Sequence, residues 1–119
     1  MKQLEIAKML EKIETDAAIP ITYYSWRENQ APSLPYAVYF YSGTRTEAAD
    51  NTNHIRIDTL VIELYTKQKD FETEIALEQI LSDFEAVYTK QETFLNTEGM
   101  FDIIYTMEET SIWDESDTV

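Results

Sequence analysis

The residues of this chain best suited to chemistry are its carboxylates, and two stand out. Glu63 interrupts an apolar, strand-like run, and Asp102 sits between Phe101 and Ile103. A carboxyl held in apolar surroundings binds its proton more tightly and can act as an acid or base. Plain strand alternation instead turns both side chains toward solvent, and that reading is preferred here. The stretch Glu47-Ala48-Ala49-Asp50-Asn51-Thr52-Asn53 carries oxygen ligands of the kind Ca²⁺ takes. It lacks the central Gly and bidentate Glu of an EF-hand, so no metal is assigned to it.

Other chemical equipment is sparse. His54 is the only histidine, and cysteine is absent. Thiolate nucleophiles, disulfides and Cys-based metal sites are therefore excluded. Gly43 and Gly99 stand alone, so there is no phosphate-cradling or dinucleotide-binding loop. No serine lies in a G-x-S-x-G elbow. These absences lead to an expectation of no catalytic residues and no cofactor.

Charge narrows the partners. The formal net charge is −14, and it is uneven. Residues 1–60 carry six Lys/Arg and eight Asp/Glu, whereas residues 61–119 carry three and fifteen. Such a chain repels a phosphate backbone, so direct nucleic-acid binding is not expected. The longest apolar runs, such as Leu60-Val61-Ile62, fall far short of a membrane span. The start Met1-Lys2-Gln3-Leu4-Glu5 lacks the apolar stretch of a signal peptide.

The elements that must position these residues follow from periodicity. Ile6, Met9, Leu10, Ile13 and Ala17 recur at helical spacing, which predicts a helix over residues 2–16, ending before Pro20. Ile21 to Trp26 reads as a strand, and Arg27 to Ser33 as a loop. Tyr36 to Tyr41 reads as a second strand, apolar on both faces. Ser42 to Asn53 is polar and reads as a long hairpin loop with frayed strand ends. His54 to Lys67 is the strongest strand. Its apolar phase slips near Asp58-Thr59, which fits either a β-bulge or a second half buried on both faces.

Asp70 is placed to cap a helix over residues 70–90, with Ile75, Leu77, Ile80, Leu81, Phe84, Val87 and Tyr88 as its stripe. Glu72, Glu78, Gln79, Asp83 and Glu85 fill the wet side of that helix. Thr93 to Asn96 and Met100 to Met107 read as the last strands. The order is α-β-β-β-α-β-β. It predicts an α+β fold, a single largely antiparallel sheet with two helices packed on one face. Residues 1–108 are expected to form one domain, and residues 109–119 an acidic tail.

The aromatic residues point to surfaces. Tyr23, Tyr24, Trp26, Tyr36, Tyr39 and Tyr41 crowd into one third of the chain. One sheet face cannot bury them all in a monomer, and Tyr and Trp are enriched at interfaces. Tyr24, Trp26, Tyr39 and Tyr41 are the aromatic interface candidates, and self-association follows.

At Leu34-Pro35-Tyr36-Ala37-Val38-Tyr39, Ala49-Asp50-Asn51 and Glu63-Leu64-Tyr65-Thr66-Lys67-Gln68-Lys69-Asp70, the chain resembles a known group. Glu98-Gly99-Met100 followed by Ile104-Tyr105 adds to it. These segments resemble the small tail-terminator, tail-completion and head-to-tail joining proteins of long-tailed phages and prophages. The resemblance covers most of residues 1–108. It implies a subunit that forms a ring, often a hexamer, and contacts tail-tube and head-connector proteins. It also implies assembly in the host cytoplasm, then residence in the virion, with no cofactor. On that reading the polar 42–53 segment projects from the ring, and Arg45, Glu47, Asp50 and Asn51 are its contact candidates.

Two other functions remain open from sequence. The acidic second half suits an inhibitor or DNA mimic that occupies a nucleic-acid-binding protein. A carboxylate-dependent hydrolase needs a pocket in which two acids converge.

Overall fold

The computed structural model describes residues 3–48 and 53–114. Helix α1 spans Gln3–Thr15 and α2 spans Phe71–Asp83. The strands are β1 (Ile21–Tyr23), β2 (Tyr36–Ala48), β3 (Asn53–Thr66), β4 (Tyr88–Leu95) and β5 (Met100–Asp114). They form one sheet in the order β1-β2-β3-β5-β4. β1 runs parallel to β2, and every other pairing is antiparallel. This is the expected α+β order; its first strand is cut to three residues and lies parallel at the sheet edge.

Both helices cover one face of the sheet. α1 buries Ile6, Met9 and Ile13, and α2 buries Leu77, Ile80 and Leu81. Between helices and sheet they meet Ala37, Leu60, Ile62, Leu64, Ile103, Tyr105 and Met107. The spacing of the α1 residues is that of a single helical stripe, and the alternate positions of β3 and β5 supply the matching floor. Five of these β3 and β5 residues, Leu60, Ile62, Leu64, Ile103 and Tyr105, are wholly excluded from water.

α2 begins as the sequence requires. Asp70 accepts the backbone N–H of Thr73 at 3.1 Å and its hydroxyl at 2.6 Å. That satisfies one of the orphan donors of the first turn. The helix ends earlier than periodicity predicts, at Asp83. Glu85 adopts a positive φ of 57°, and the chain then turns into β4. Val87, Tyr88 and Thr89 are β-branched or aromatic and fit a strand better than a helix. Val87 is 88% exposed and Ile75 63% exposed, so neither belongs to the core stripe.

The largest departure lies at residues 42–48. They are strand, not loop, and pair with β3 out to Ala48↔His54. Residues 49–52, and with them the contact candidates Asp50 and Asn51, lie outside the described residues. Thr44 and Thr46 favour extended backbone, and polar side chains on both sides suit a ribbon bathed in water. The phase slip is also explained. β3 pairs with β5 without interruption, and the register shift lies in β2, between Tyr41 and Gly43. Ile55 and Ile57 therefore face away from Leu60, Ile62 and Leu64. Arg45, directly opposite Ile57, is on its face, and Ile57 is buried.

β5 continues to Asp114 and accompanies β3 to its start, Asn53↔Asp114. Residues 109–114, expected in the acidic tail, thus extend the sheet. Three strands form an arm beyond the helices, within a molecule of 51 × 27 × 24 Å.

Candidate functional site

Three charged constellations organise the surface. The first is on the arm. Arg45 Nη1 donates to Glu108 Oε1 at 2.8 Å, and Arg45 Nε lies 3.7 Å from Glu47. Thr44 donates to Asp58, and Arg56 pairs with the same carboxylate at 3.2 Å. Tyr41 donates its hydroxyl to Glu109 Oε2 at 3.0 Å; burial first, then that bond, raises the phenol pKa well above its usual value. Two contact candidates, Arg45 and Glu47, are thus neighbours on one strand, paired with each other, and Arg45 is also tied across the sheet to Glu108.

The second constellation joins α2 to β4 and was not legible in the sequence. Glu74 is buried, although it lies in the first turn of a helix read as amphipathic. Lys69 reaches it at 2.6 Å and Lys90 at 2.8 Å. Burial alone would raise the Glu74 pKa, but the two ammonium groups outweigh it and hold the carboxyl below its ordinary value. Lys90 also meets Glu78 Oε2 at 2.7 Å. The same oxygen accepts from Tyr105 at 2.7 Å, and burial followed by that bond drives the phenol pKa far upward. Every member is paired, so this network clamps structure and offers no vacant group to a substrate.

The third lies on the sheet face that the helices leave uncovered. Strand alternation puts Tyr36, Val38 and Phe40 of β2 there, with Val61, Glu63 and Tyr65 of β3 and Asp102 and Ile104 of β5. Tyr36 lies opposite Tyr65, and Tyr65 opposite Asp102, in one row across the sheet. Tyr65 donates to Glu63 Oε2 at 3.0 Å. Asp102 is only 7% exposed, and its Oδ1 has no hydrogen-bond partner. Burial first, then the charge and hydrogen bond of Glu63, raise the Asp102 pKa to about 7. Alternation had pointed both carboxylates to solvent; it gives the face correctly but not the cover that large neighbours provide.

The four aromatic candidates divide between the faces. Tyr39 and Tyr41 pack toward the helices, Tyr39 edge-on to Tyr23 at 5.2 Å. Tyr24 is 70% exposed and meets Phe40 at 5.9 Å. Trp26 is half-buried against Tyr36 at 6.1 Å, and its indole Nε1 lacks a partner. Together with Tyr65, Leu95 and Met100 they line a shallow groove of about 340 Å³.

No family model matches this chain. No curated protein matches it either. The fold is known. A chain in the virion of a native gene transfer agent particle superposes with a TM-score of 0.54 at 15% identity. The match covers 87% of this chain and 88% of that one. It is the likeness of a whole fold, carried by few identical residues.

Chemically, the arrangement is poor in reactive groups. Among the described residues no three His, Cys, Asp or Glu side chains converge as a metal site. No described helix is long and apolar enough to cross a membrane. Glu63 and Asp102 do converge, as a carboxylate-dependent hydrolase requires. They touch each other, however, and Asp102 Oδ1 is sealed from solvent, so a substrate atom has no approach to it.

Proposed function

We propose that this chain is a non-enzymatic structural subunit of a phage-like particle, acting at the tail as a ring-forming terminator or head-to-tail joining protein. The observation that supports this reading most is the likeness, over 87% of the chain, to a chain of a gene transfer agent virion. The molecule's own physics agrees with it. Its side chains are spent on packing and ion pairs, and its exposed assets are surfaces. β4 is an open sheet edge, and β2 is paired by β1 only at Ala37–Tyr39, leaving a second open edge along the arm. Two free edges on opposite sides of one subunit suit head-to-tail contact between copies, which closes into a ring when the rotation permits.

On this reading Arg45 and Glu47, with Asp50 and Asn51 beyond the described residues, belong to the contact region of the arm. Partners are further copies of the chain, tail-tube protein and connector protein; the subunit assembles in the host cytoplasm and ends in the virion. The test is assembly. Purified protein, alone and mixed with tail tubes, is examined by mass photometry and negative-stain microscopy. Rings, or caps on tube ends, support the proposal. A strict monomer at high concentration that binds neither tubes nor connectors overturns it.

A further inference from the structure

β5 outruns its neighbour. β4 covers it from Met100 to Met107, where Tyr88 is the last partner. From Glu108 to Asp114, among the described residues, β5 is paired on the β3 side alone. The chain entering β4 turns aside at Glu85, whose φ is 57°, and leaves Val87 exposed. A groove of about 530 Å³ lies where a longer β4 would have run, lined by Glu85, Val87, Thr89, Met107, Glu108 and Thr110. Folds that close off such an edge place a proline, a lysine or a bulge in it. Glu108-Glu109-Thr110-Ser111 has no proline or lysine, and its pairing with β3 is unbroken. The arm has a second edge of this kind. β1 pairs with β2 only at Ala37–Tyr39, and every residue from Ser42 to Ala48 is exposed. β2 and β5 are both antiparallel to β3, so the two open edges run in the same direction.

Resting on the reading of this chain as a subunit that meets its own copies, we propose the contact itself: residues 42–48 of β2 in one copy add as a parallel strand to residues 108–114 of β5 in the next, and fill the groove beside Val87. Strand addition to an open edge satisfies the outward backbone N–H and C=O groups of both arms. Direction selects the pair. A rotation about an axis along the arm sets copies side by side without reversing them, so β2 of one meets β5 of the next in parallel. Charge selects it too. The groove carries Glu85 and Glu108, no cation lines it, and Glu85 pairs with none among the described residues. Residues 42–48 hold one cation, Arg45, and one acid, Glu47, so they bring a guanidinium without adding net acid. Two β5 edges back to back would instead set Glu108 and Glu109 against the same acids. The net charge of −14 opposes association only weakly, because exposed charges are screened beyond about 8 Å at physiological salt. The match at the edge decides.

The chain has no cysteine, so engineered ones report the contact without background. Thr46 and Ser111 stand in one row of the arm, each opposite Arg56. Thr46→Cys and Ser111→Cys are made as separate full-length proteins and treated with a short bis-maleimide, each alone and as an equal mixture. Ala48→Cys replaces Thr46→Cys to cover a shifted register. The reaction is run at high protein concentration and on tail tubes, and mass photometry of untreated samples reports association. The mixture is expected to give at least tenfold more cross-linked dimer than either variant alone. Glu85→Lys, in the groove, should lower that yield at least fivefold with thermal unfolding still cooperative. Glu28→Lys, in the loop after β1, should leave it unchanged. Cross-linking of β2 cysteines to each other, of Ser111→Cys to itself, or equal loss from Glu28→Lys overturns the proposal. Copies that associate without the mixed cross-link overturn this contact and leave the ring reading standing. Monomers under every condition, free of tubes, overturn both.

Discussion

Replacing Asp102 by Asn removes an ionisable group from the middle of the uncovered face and keeps its shape. The native fold holds this carboxyl's pKa near 7, against an ordinary value of 3.8. The sign follows from which state binds the proton. Between about pH 4 and pH 7 the folded chain keeps the proton and the unfolded chain has lost it. Stability contributed by this group is therefore complete below pH 4, falls as pH rises, and is gone above pH 7. At about 1.4 kcal/mol per tenfold change in proton affinity, the loss reaches about 4 kcal/mol. Asn resembles the protonated acid and donates an N–H to Glu63 where the acid donated its proton. The measurement is urea unfolding of both proteins from pH 4 to pH 8. Subtracting the two curves cancels the distant carboxylates, which act independently; Glu63, which acts directly on Asp102, does not cancel and is part of the measured difference. Asp102→Asn is expected to lie within about 1 kcal/mol of the parent at pH 4 and to be about 2–4 kcal/mol more stable at pH 8. A variant destabilised equally at every pH, or most at pH 8, would refute the account of a buried, proton-holding acid.

Other perturbations separate the remaining features. Glu74→Ala leaves Lys69 and Lys90 facing an apolar gap and should cost about 3–5 kcal/mol by denaturant unfolding. The Glu74 pKa is depressed, so its contribution is present above its unfolded pKa and lost as pH falls through the folded one; the penalty of Glu74→Ala should shrink in acid. Leu60→Ala, at the fully buried centre of the sheet, should cost about 2–5 kcal/mol, while the exposed Val87→Thr should stay within about 0.5 kcal/mol. Asp70→Ala removes the cap of α2 and should lower stability by about 1 kcal/mol, read from the urea midpoint.

Local physics made some of this fold legible and hid the rest. Ile6, Met9 and Ile13 announce the buried side of α1 because a helix repeats every few residues and needs no distant partner. Leu60, Ile62 and Leu64 announce the core of β3 in the same way. Residues 42–48 were hidden because their strand is built by pairing with β3 and not by apolar content. The phase slip in β3 left a bulge and a half buried on both faces equally open, because it looks the same whether the chain bulges or simply exchanges faces; pairing shows β3 uninterrupted and the register shift in β2. The burial of Glu74 was not legible because its partner Lys90 belongs to another element. The pairing of Glu63 with Asp102 was equally invisible: alternation assigns a face, but only the assembled sheet sets Asp102 beside Tyr65 and in reach of Glu63.

The claim that this chain is a structural component of a particle is most directly tested in the particles themselves. Particles released by cells expressing the chain are purified on a density gradient, and its copies per particle are counted by quantitative mass spectrometry against the tail-tube protein. A ring subunit predicts co-sedimentation at a small, fixed copy number, with tails failing to join heads when the gene is deleted. Complete absence of the chain from particles, with normal particles formed after deletion, would contradict the account.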